Sequence, residues 1–261
     1  MENINLNRVF LLMKKDVLEN IKAISIAYIS VIGIVLFILL MDAQKINAHL
    51  WIDFNQIFQM SMMFVGVSIA GMAFTNFRTK ELTTTYLTLP ASNLEKTISQ
   101  ILLVTFGTII SYTFVFFISQ FLFIAIGKVF YTMEIGFFNP FAKENVENVY
   151  FLIIAQSIFI LGASYFKKQA IFKTGVVLFI LGFVYFGLWG YLISLNLDNL
   201  PPNVGVIADF GMSNTHINGH APNTIYSREL WSGRILEIFF TYLLLPILWI
   251  ATYFNVKEKE V

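Results

Sequence analysis

Ile24-Ser-Ile-Ala-Tyr-Ile-Ser-Val-Ile-Gly-Ile-Val-Leu-Phe-Ile-Leu-Leu-Met41 runs for eighteen residues without a charge. A helix needs about 20 predominantly apolar residues to cross the hydrocarbon of a bilayer. This stretch is therefore read as a membrane span, and the rest of the chain repeats the pattern. Further apolar runs occupy Phe54 to Phe74, Ile98 to Ile126, Val149 to Phe166, Thr174 to Leu195 and Ile235 to Phe254. They are continuously apolar and do not alternate, which favours helices over the strands of a barrel. The expected fold is an all-α polytopic membrane protein with six transmembrane helices.

Composition agrees. Of the 261 residues, 57% are hydrophobic and 13% charged, against roughly 45–50% and 25% in soluble domains. Too few charges remain to clothe a soluble surface of this size. The net charge of +1 provides no general basic field for nucleic acid. The absence of cysteine removes disulfides, thiolate metal sites and cysteine nucleophiles. The first apolar run follows a long polar lead and no small-residue cleavage site comes after it, so it reads as a retained span and not as a signal peptide.

Lys and Arg in the flanks set the orientation. Twelve cluster on one side: Arg8, Lys14, Lys15, Lys22, Arg78, Lys80, Lys96, Lys167, Lys168, Lys173, Lys257 and Lys259. Five lie on the other: Lys45, Lys128, Lys143, Arg228 and Arg234. The richer side is cytoplasmic, which puts both termini inside. Residues 1–23 then form an N-terminal amphipathic interfacial helix, residues 24–254 the six-helix domain, and residues 255–261 a cytoplasmic tail. In the first of these, Leu6, Val9, Phe10, Met13 and Val17 recur at helical spacing. The pattern suits a helix lying in the membrane interface with Arg8, Lys14 and Lys15 near headgroups and Phe10 in the apolar layer. The alternative is a cytoplasmic extension packed on other protein.

The cytoplasmic loop 75–97 is read as structured. Pro90 disfavours helix at Leu89. Ser92 and Glu95 then form an S-x-x-E capping box that restarts a helix leading into the third span. Phe77, Leu82, Tyr86 and Leu87 stand among polar residues, a mixed surface suited to docking. The loop 196–233 is extracytoplasmic and long enough to hold structure of its own; Val204 to Phe210 suits a short re-entrant or interfacial piece. Pro246 is expected to kink the sixth span, and Gly182, Gly187 and Gly190 to permit close helix approach in the fifth.

A search for chemistry finds little. There is no P-loop, no G-x-S-x-G and no H-E-x-x-H. His216 and His220 are four residues apart, but Gly219 and Pro222 make the stretch a turn, and no third ligand is positioned. No metal and no catalytic group is expected. Arg234 and Glu237 form an i, i+3 pair marking the outer end of the sixth span. No acid lies at mid-membrane, which counts against a proton-coupled carrier.

Thr85-Tyr-Leu-Thr-Leu-Pro-Ala-Ser-Asn-Leu-Glu-Lys96 resembles the L-x-L-P-[small]-S-x-x-E-K stretch of ABC-2 type permease subunits of ABC transporters, in particular a Bacteroidota group. The ending Tyr253 to Val261 is similar to theirs, as is the architecture of six spans, an amphipathic N-terminal helix and a structured loop after the second span. The resemblance implies an exporter's membrane subunit. Its loop 75–97 would dock on a separate cytoplasmic ATPase through Phe77, Arg78, Lys80, Glu81, Tyr86 and Leu87. ATP and Mg would be bound by that partner and none by this chain. A second permease copy or a paralogue would complete the path, in a bacterial inner membrane. The small outer segment departs from the large lipid and polysaccharide exporters. The rival is a non-transport scaffold or assembly subunit; a secondary carrier lacks the expected internal repeat, and a membrane enzyme lacks a cluster of reactive groups.

Overall fold

The structure is a computed structural model that describes residues 5–45, 54–75, 83–84, 88–130, 138–166, 168–197, 205–207, 224–226 and 238–259. Its long elements are helices: α1 Leu6–Glu19, α2 Ile21–Lys45, α3 Phe54–Gly71, α4 Asn93–Leu102, α5 Thr108–Phe130, α6 Lys143–Tyr165, α7 Ala170–Leu197 and α8 Leu244–Glu258. A five-residue π segment, π1 Leu103–Gly107, joins α4 to α5, and a second, π2 Phe239–Leu243, leads into α8. The chain divides into two compact units, one of Met1–Ile171 with Ala251–Val261 and one of Phe172–Ile250.

Among the described residues four helices are long and apolar enough to cross a membrane: Ile21–Met41, Asn93–Ile126, Lys143–Tyr165 and Ala170–Leu188. They are consistent with a multi-pass membrane protein. The second expected span, α3, falls below the same standard because Asn55, Gln56 and Gln59 interrupt its first two turns. The last is regular α-helix for only 15 residues, with Lys257 and Glu258 at its end. Its expected opening residues, Ile235 to Glu237, lie outside the described residues, and so does Arg234 of the charge pair.

The first unit has an apolar core, yet much of its surface is apolar as well. Large apolar side chains face outward, among them Phe64 at 77% exposure and Ile110 at 71%, while Gln120, Asn145 and Gln156 are buried. Buried polar groups and extensive exposed apolar ones are the informative departures from a water-soluble fold. Between helices in lipid the hydrophobic effect provides no drive, so van der Waals packing and polar contacts must hold the bundle. Both are present. Phe58 packs edge-on against Phe116 with ring centroids 5.1 Å apart, and tilted against Phe138 at 4.5 Å. Val35 and Leu39 of α2, Met62 of α3 and Leu152 of α6 complete this core.

The polar contacts fix helix direction. Asn145 of α6 donates to Asn55 Oδ1 at 2.9 Å and to the Asn139 carbonyl at 2.8 Å, and accepts from Gln59 Nε2 at 3.0 Å. Further along, Gln156 reaches the Gly66 carbonyl at 3.4 Å. So α3 and α6 run in the same direction. Helix α5 opposes them: Phe54 meets Phe123 and the Tyr112 hydroxyl donates to Ser61. Tyr28 of α2 bonds Ser111 of α5. At the far end of α6, Asn255 donates to Ser164 Oγ at 3.0 Å and Lys259 to the Ser164 carbonyl.

Glycine decides where helices come closest. A Cβ at Gly66 would lie 2.6 Å from Leu152 Cδ1, and one at Gly71 only 2.1 Å from Ile171 Cγ1. At Gly182 and Gly187 of α7 an added Cβ would meet nothing within 4 Å among the described residues.

In the second unit, π2 ends three residues before Pro246. The proline lacks an N–H and its ring crowds the carbonyl four residues back, that of Tyr242, so the widened turn falls where room is needed. Gly205–Ile207 and Thr224–Tyr226 pair as two parallel three-residue strands. In the expected re-entrant stretch the described residues are thus extended. Parallel pairing needs a long crossover, and residues 208–223 supply the length. His216 and His220 fall in that crossover, outside the described residues.

Candidate docking surface at the ends of the 75–97 segment

Two legs frame this segment. The incoming leg is the end of α3. Met72 N–H bonds the Ile69 carbonyl at 3.0 Å and Ala73 N–H that of Ala70 at 3.1 Å. The chain then turns at Phe74, which is buried and has φ 55°. A bulky residue in the left-handed region costs about 1–3 kcal/mol and persists only where its surroundings impose it. Here burial of the ring and the contact of Gly71 with Ile171 hold the turn. Gln169, just before α7, takes the same conformation with φ 54°.

The outgoing leg begins at Thr88, whose N–H bonds the Thr84 carbonyl at 3.0 Å. Ala91 N–H bonds the Leu89 carbonyl at 2.7 Å, closing a three-residue turn about Pro90. The capping box follows as the sequence predicts. Glu95 N–H donates to Ser92 Oγ at 3.2 Å, and Ser92 N–H donates to Glu95 Oε2 at 2.9 Å. This satisfies donors that the first turn of α4 would otherwise leave without partners.

Glu95 also does something the sequence does not disclose. Its second oxygen, Oε1, accepts the N–H of Asn5 at 2.8 Å. Asn5 is the N-cap of α1, its side chain accepting from Asn7 N–H at 3.0 Å. One fully buried carboxylate thus serves the cap residues of two helices. Toward the other end of α1, Gln100 of α4 donates to Asp16. Burial is the main influence on Asp16 and pushes its carboxyl above the ordinary 3.8; Lys15 and the Gln100 bond pull it down, and Glu19 pushes it up.

The apolar face expected of α1 is divided. Val9 and Leu12 are buried, whereas Leu6 and Phe10 remain exposed. Part of the face that suits lipid is therefore spent on protein, because Asp16 and Asn5 draw α1 against α4. Arg8 and Lys14 are exposed, and Lys15 pairs with Glu19 at 3.2 Å. Of the expected contact residues, Phe77, Arg78, Lys80, Glu81, Tyr86 and Leu87 lie outside the described residues. Leu89, Pro90, Ser92 and Glu95 are in place, forming the turn and the cap. Asn5 was recognisable as an Asn preceding a helical period; Asp16 and Gln100 carry no local signal, since each looks like an ordinary polar face residue. Among the described residues, no group of His, Asp and Glu side chains is arranged to hold a metal ion.

No protein-family model matches the chain, and neither a curated protein nor a solved structure matches it.

Proposed function

We propose that this chain is the membrane subunit of an ATP-driven exporter of the ABC-2 type, spanning a bacterial inner membrane six times with both termini in the cytoplasm. The carrying observation is the built platform at the ends of residues 75–97: an αL turn on a buried Phe74 on one leg, and a capped helix fastened to α1 on the other. A plain connector needs neither. A segment that must pass force from a partner to the spans needs both legs held, because a slack leg would absorb the displacement.

Supporting observations come from the bundle. The ends of α3 and α6, the start of α7 and the end of α8 lie together through Gly71–Ile171 and Asn255–Ser164, as six alternating spans with both ends on one side require. The resemblance of Thr85 to Lys96 to the stretch found in that family supports the reading. In this reading a separate ATPase subunit binds ATP and Mg, and its closure displaces the segment through Phe77, Arg78, Lys80, Glu81, Tyr86 and Leu87. Two permease subunits, identical or related, form the path. Chemistry resides in the partner, and this chain is not itself an enzyme.

The test is co-purification of the tagged chain, expressed in its native host, with a cytoplasmic ATPase subunit. Reversing charge at Arg78 and Lys80 is expected to weaken that complex at least tenfold, the scale of losing about 1.4 kcal/mol. Retention of the complex after deletion of residues 77–87 overturns the docking assignment.

A further inference from the structure

The two sides of α1 have different surroundings. Val9, Leu12 and Asp16 are buried, at the three- and four-residue spacing of one helical face. On the opposite side Leu6, Phe10, Lys14 and Leu18 follow at intervals of four, with Leu11 beside them, and all five are exposed. This side is turned by about a quarter of the circumference from the stripe that periodicity predicts. Lys22, four residues after Leu18 and in the first turn of α2, is exposed as well. Large apolar side chains with ammonium groups among them suit a leaflet surface, where the first enter the acyl boundary and the second meet phosphates.

Two further observations point to a bilayer on that side. Helix α1 passes into α2 through Asn20 alone, and α2 contains Ile21–Met41, one of the stretches long and apolar enough to cross a membrane. Ile21, Ile26 and Ile29 are exposed, so the apolar surface continues from Leu18 into that span. The second observation is where α1 meets α4. Asn5 bonds Glu95, and Asp16 bonds Gln100. These points are roughly 16 Å apart along α1 but only about 7.5 Å apart along α4, so the helices cross at an angle. The stretch Asn93–Ile126, which α4 begins, has 34 residues. It measures roughly 50 Å, against about 30 Å of hydrocarbon. Its α4 end is the polar one, so α1 crosses it at the level where hydrocarbon gives way to headgroups.

We propose that the exposed side of α1 docks on the anionic headgroups of the leaflet in which α2 begins. Leu6, Phe10, Leu11 and Leu18 enter among the acyl chains, and Lys14 and Lys22 meet lipid phosphates. Val9, Leu12 and Asp16 keep the opposite side on α4, so α1 is held between protein and lipid. The inference rests on α2 crossing a membrane and not on export, so it stands or falls separately from co-purification with an ATPase.

The chain has no cysteine, which permits one nitroxide label at a time on the full chain, purified without partners. Leu11→Cys and Leu18→Cys report the exposed side, and Glu19→Cys, exposed on the flank of α1, is the control. Collisions with oxygen are compared with those of a water-soluble nickel chelate. In nanodiscs of equal parts phosphatidylglycerol and phosphatidylcholine, the labels at Leu11 and Leu18 are expected to favour oxygen and that at Glu19 the chelate. In phosphatidylcholine alone the first two should lose most of that preference. Lys14→Gln with Lys22→Gln should lower the ratio of docked to undocked α1 about thirtyfold, roughly fivefold for each cation lost. It should also abolish the response to phosphatidylglycerol. Labels at Leu11 and Leu18 that favour the chelate in both membranes overturn the proposal, and so does an equal preference for oxygen in the two. Shielding that appears only when cytoplasmic protein is added overturns it too, because a protein is then the occupant.

Discussion

Glycine at position 71 has neighbours that leave no alternative. A methyl group there would sit 2.1 Å from Ile171 Cγ1, inside a contact between the end of α3 and the start of α7. Gly71→Ala is expected to cost about 1–3 kcal/mol, as overpacking does, and to lower the thermal midpoint in detergent. Gly182→Ala should behave oppositely. Among the described residues nothing lies within 4 Å of that site, so the gain in helix propensity, about 0.5–1 kcal/mol, should leave the midpoint equal or higher. A midpoint lowered by Gly182→Ala would mean that another chain packs there. Asp16 gives a prediction with a sign. Its folded carboxyl holds a proton more tightly than the unfolded one, chiefly through burial. Between the ordinary value of 3.8 and that raised value, the folded state binds more protons, so stability falls as pH rises through this window. Asp16→Asn keeps an acceptor for Gln100 and removes the charge. Urea midpoints measured across the acidic range should show a flatter profile for the variant, with equal or greater stability at neutral pH. A variant profile parallel to that of the parent would contradict the assignment.

At the scale of elements, the restart at Ser92 is the most exposed to test. Ser92→Ala removes the Oγ that accepts Glu95 N–H and should cost about 1 kcal/mol; Ser92→Asp, which restores an acceptor, should recover most of it in the same unfolding measurement. This cap was legible because a capping box is a local rule: Ser, two residues, Glu, after a proline. The four helices long and apolar enough to cross a membrane were legible for a similar reason, since composition over about twenty residues decides them. The helix packing was not. That Asn145 would gather Asn55 and Gln59 as well as nearby Asn139 depends on two separate pieces of chain meeting. That Glu95 would serve a second helix depends on Asn5, ninety residues away. The division of the α1 face followed from the same long-range bonds. Periodicity reports that Leu6, Val9 and Phe10 share a side, but not which of them meets protein.

For the whole molecule the deciding question is which ends share a compartment. If hydrocarbon surrounds the outward-facing Phe and Ile side chains, alternation of the spans follows from the directions of α3, α5 and α6, and a small set of exposed residues reports it. Lys14, Lys168 and Lys257 are exposed at the ends that lie with α1, α7 and α8, and Lys143 is exposed at the opposite end of α6. In a chain without native cysteine, each can be replaced singly by Cys. A membrane-impermeant maleimide added to intact spheroplasts should then label Lys143→Cys alone. Added to inverted vesicles it should label the other three and spare Lys143→Cys. Labelling of Lys257→Cys from outside would break the six-span count, because an odd number of crossings would then separate it from Lys14. Lys168→Cys makes the check internal: it lies between α6 and α7, so its side is set by the fourth crossing and is independent of everything after Leu197. A result in which Lys168→Cys behaves as predicted and Lys257→Cys does not would therefore place the error in the last crossing, where π2 and Pro246 interrupt the helix.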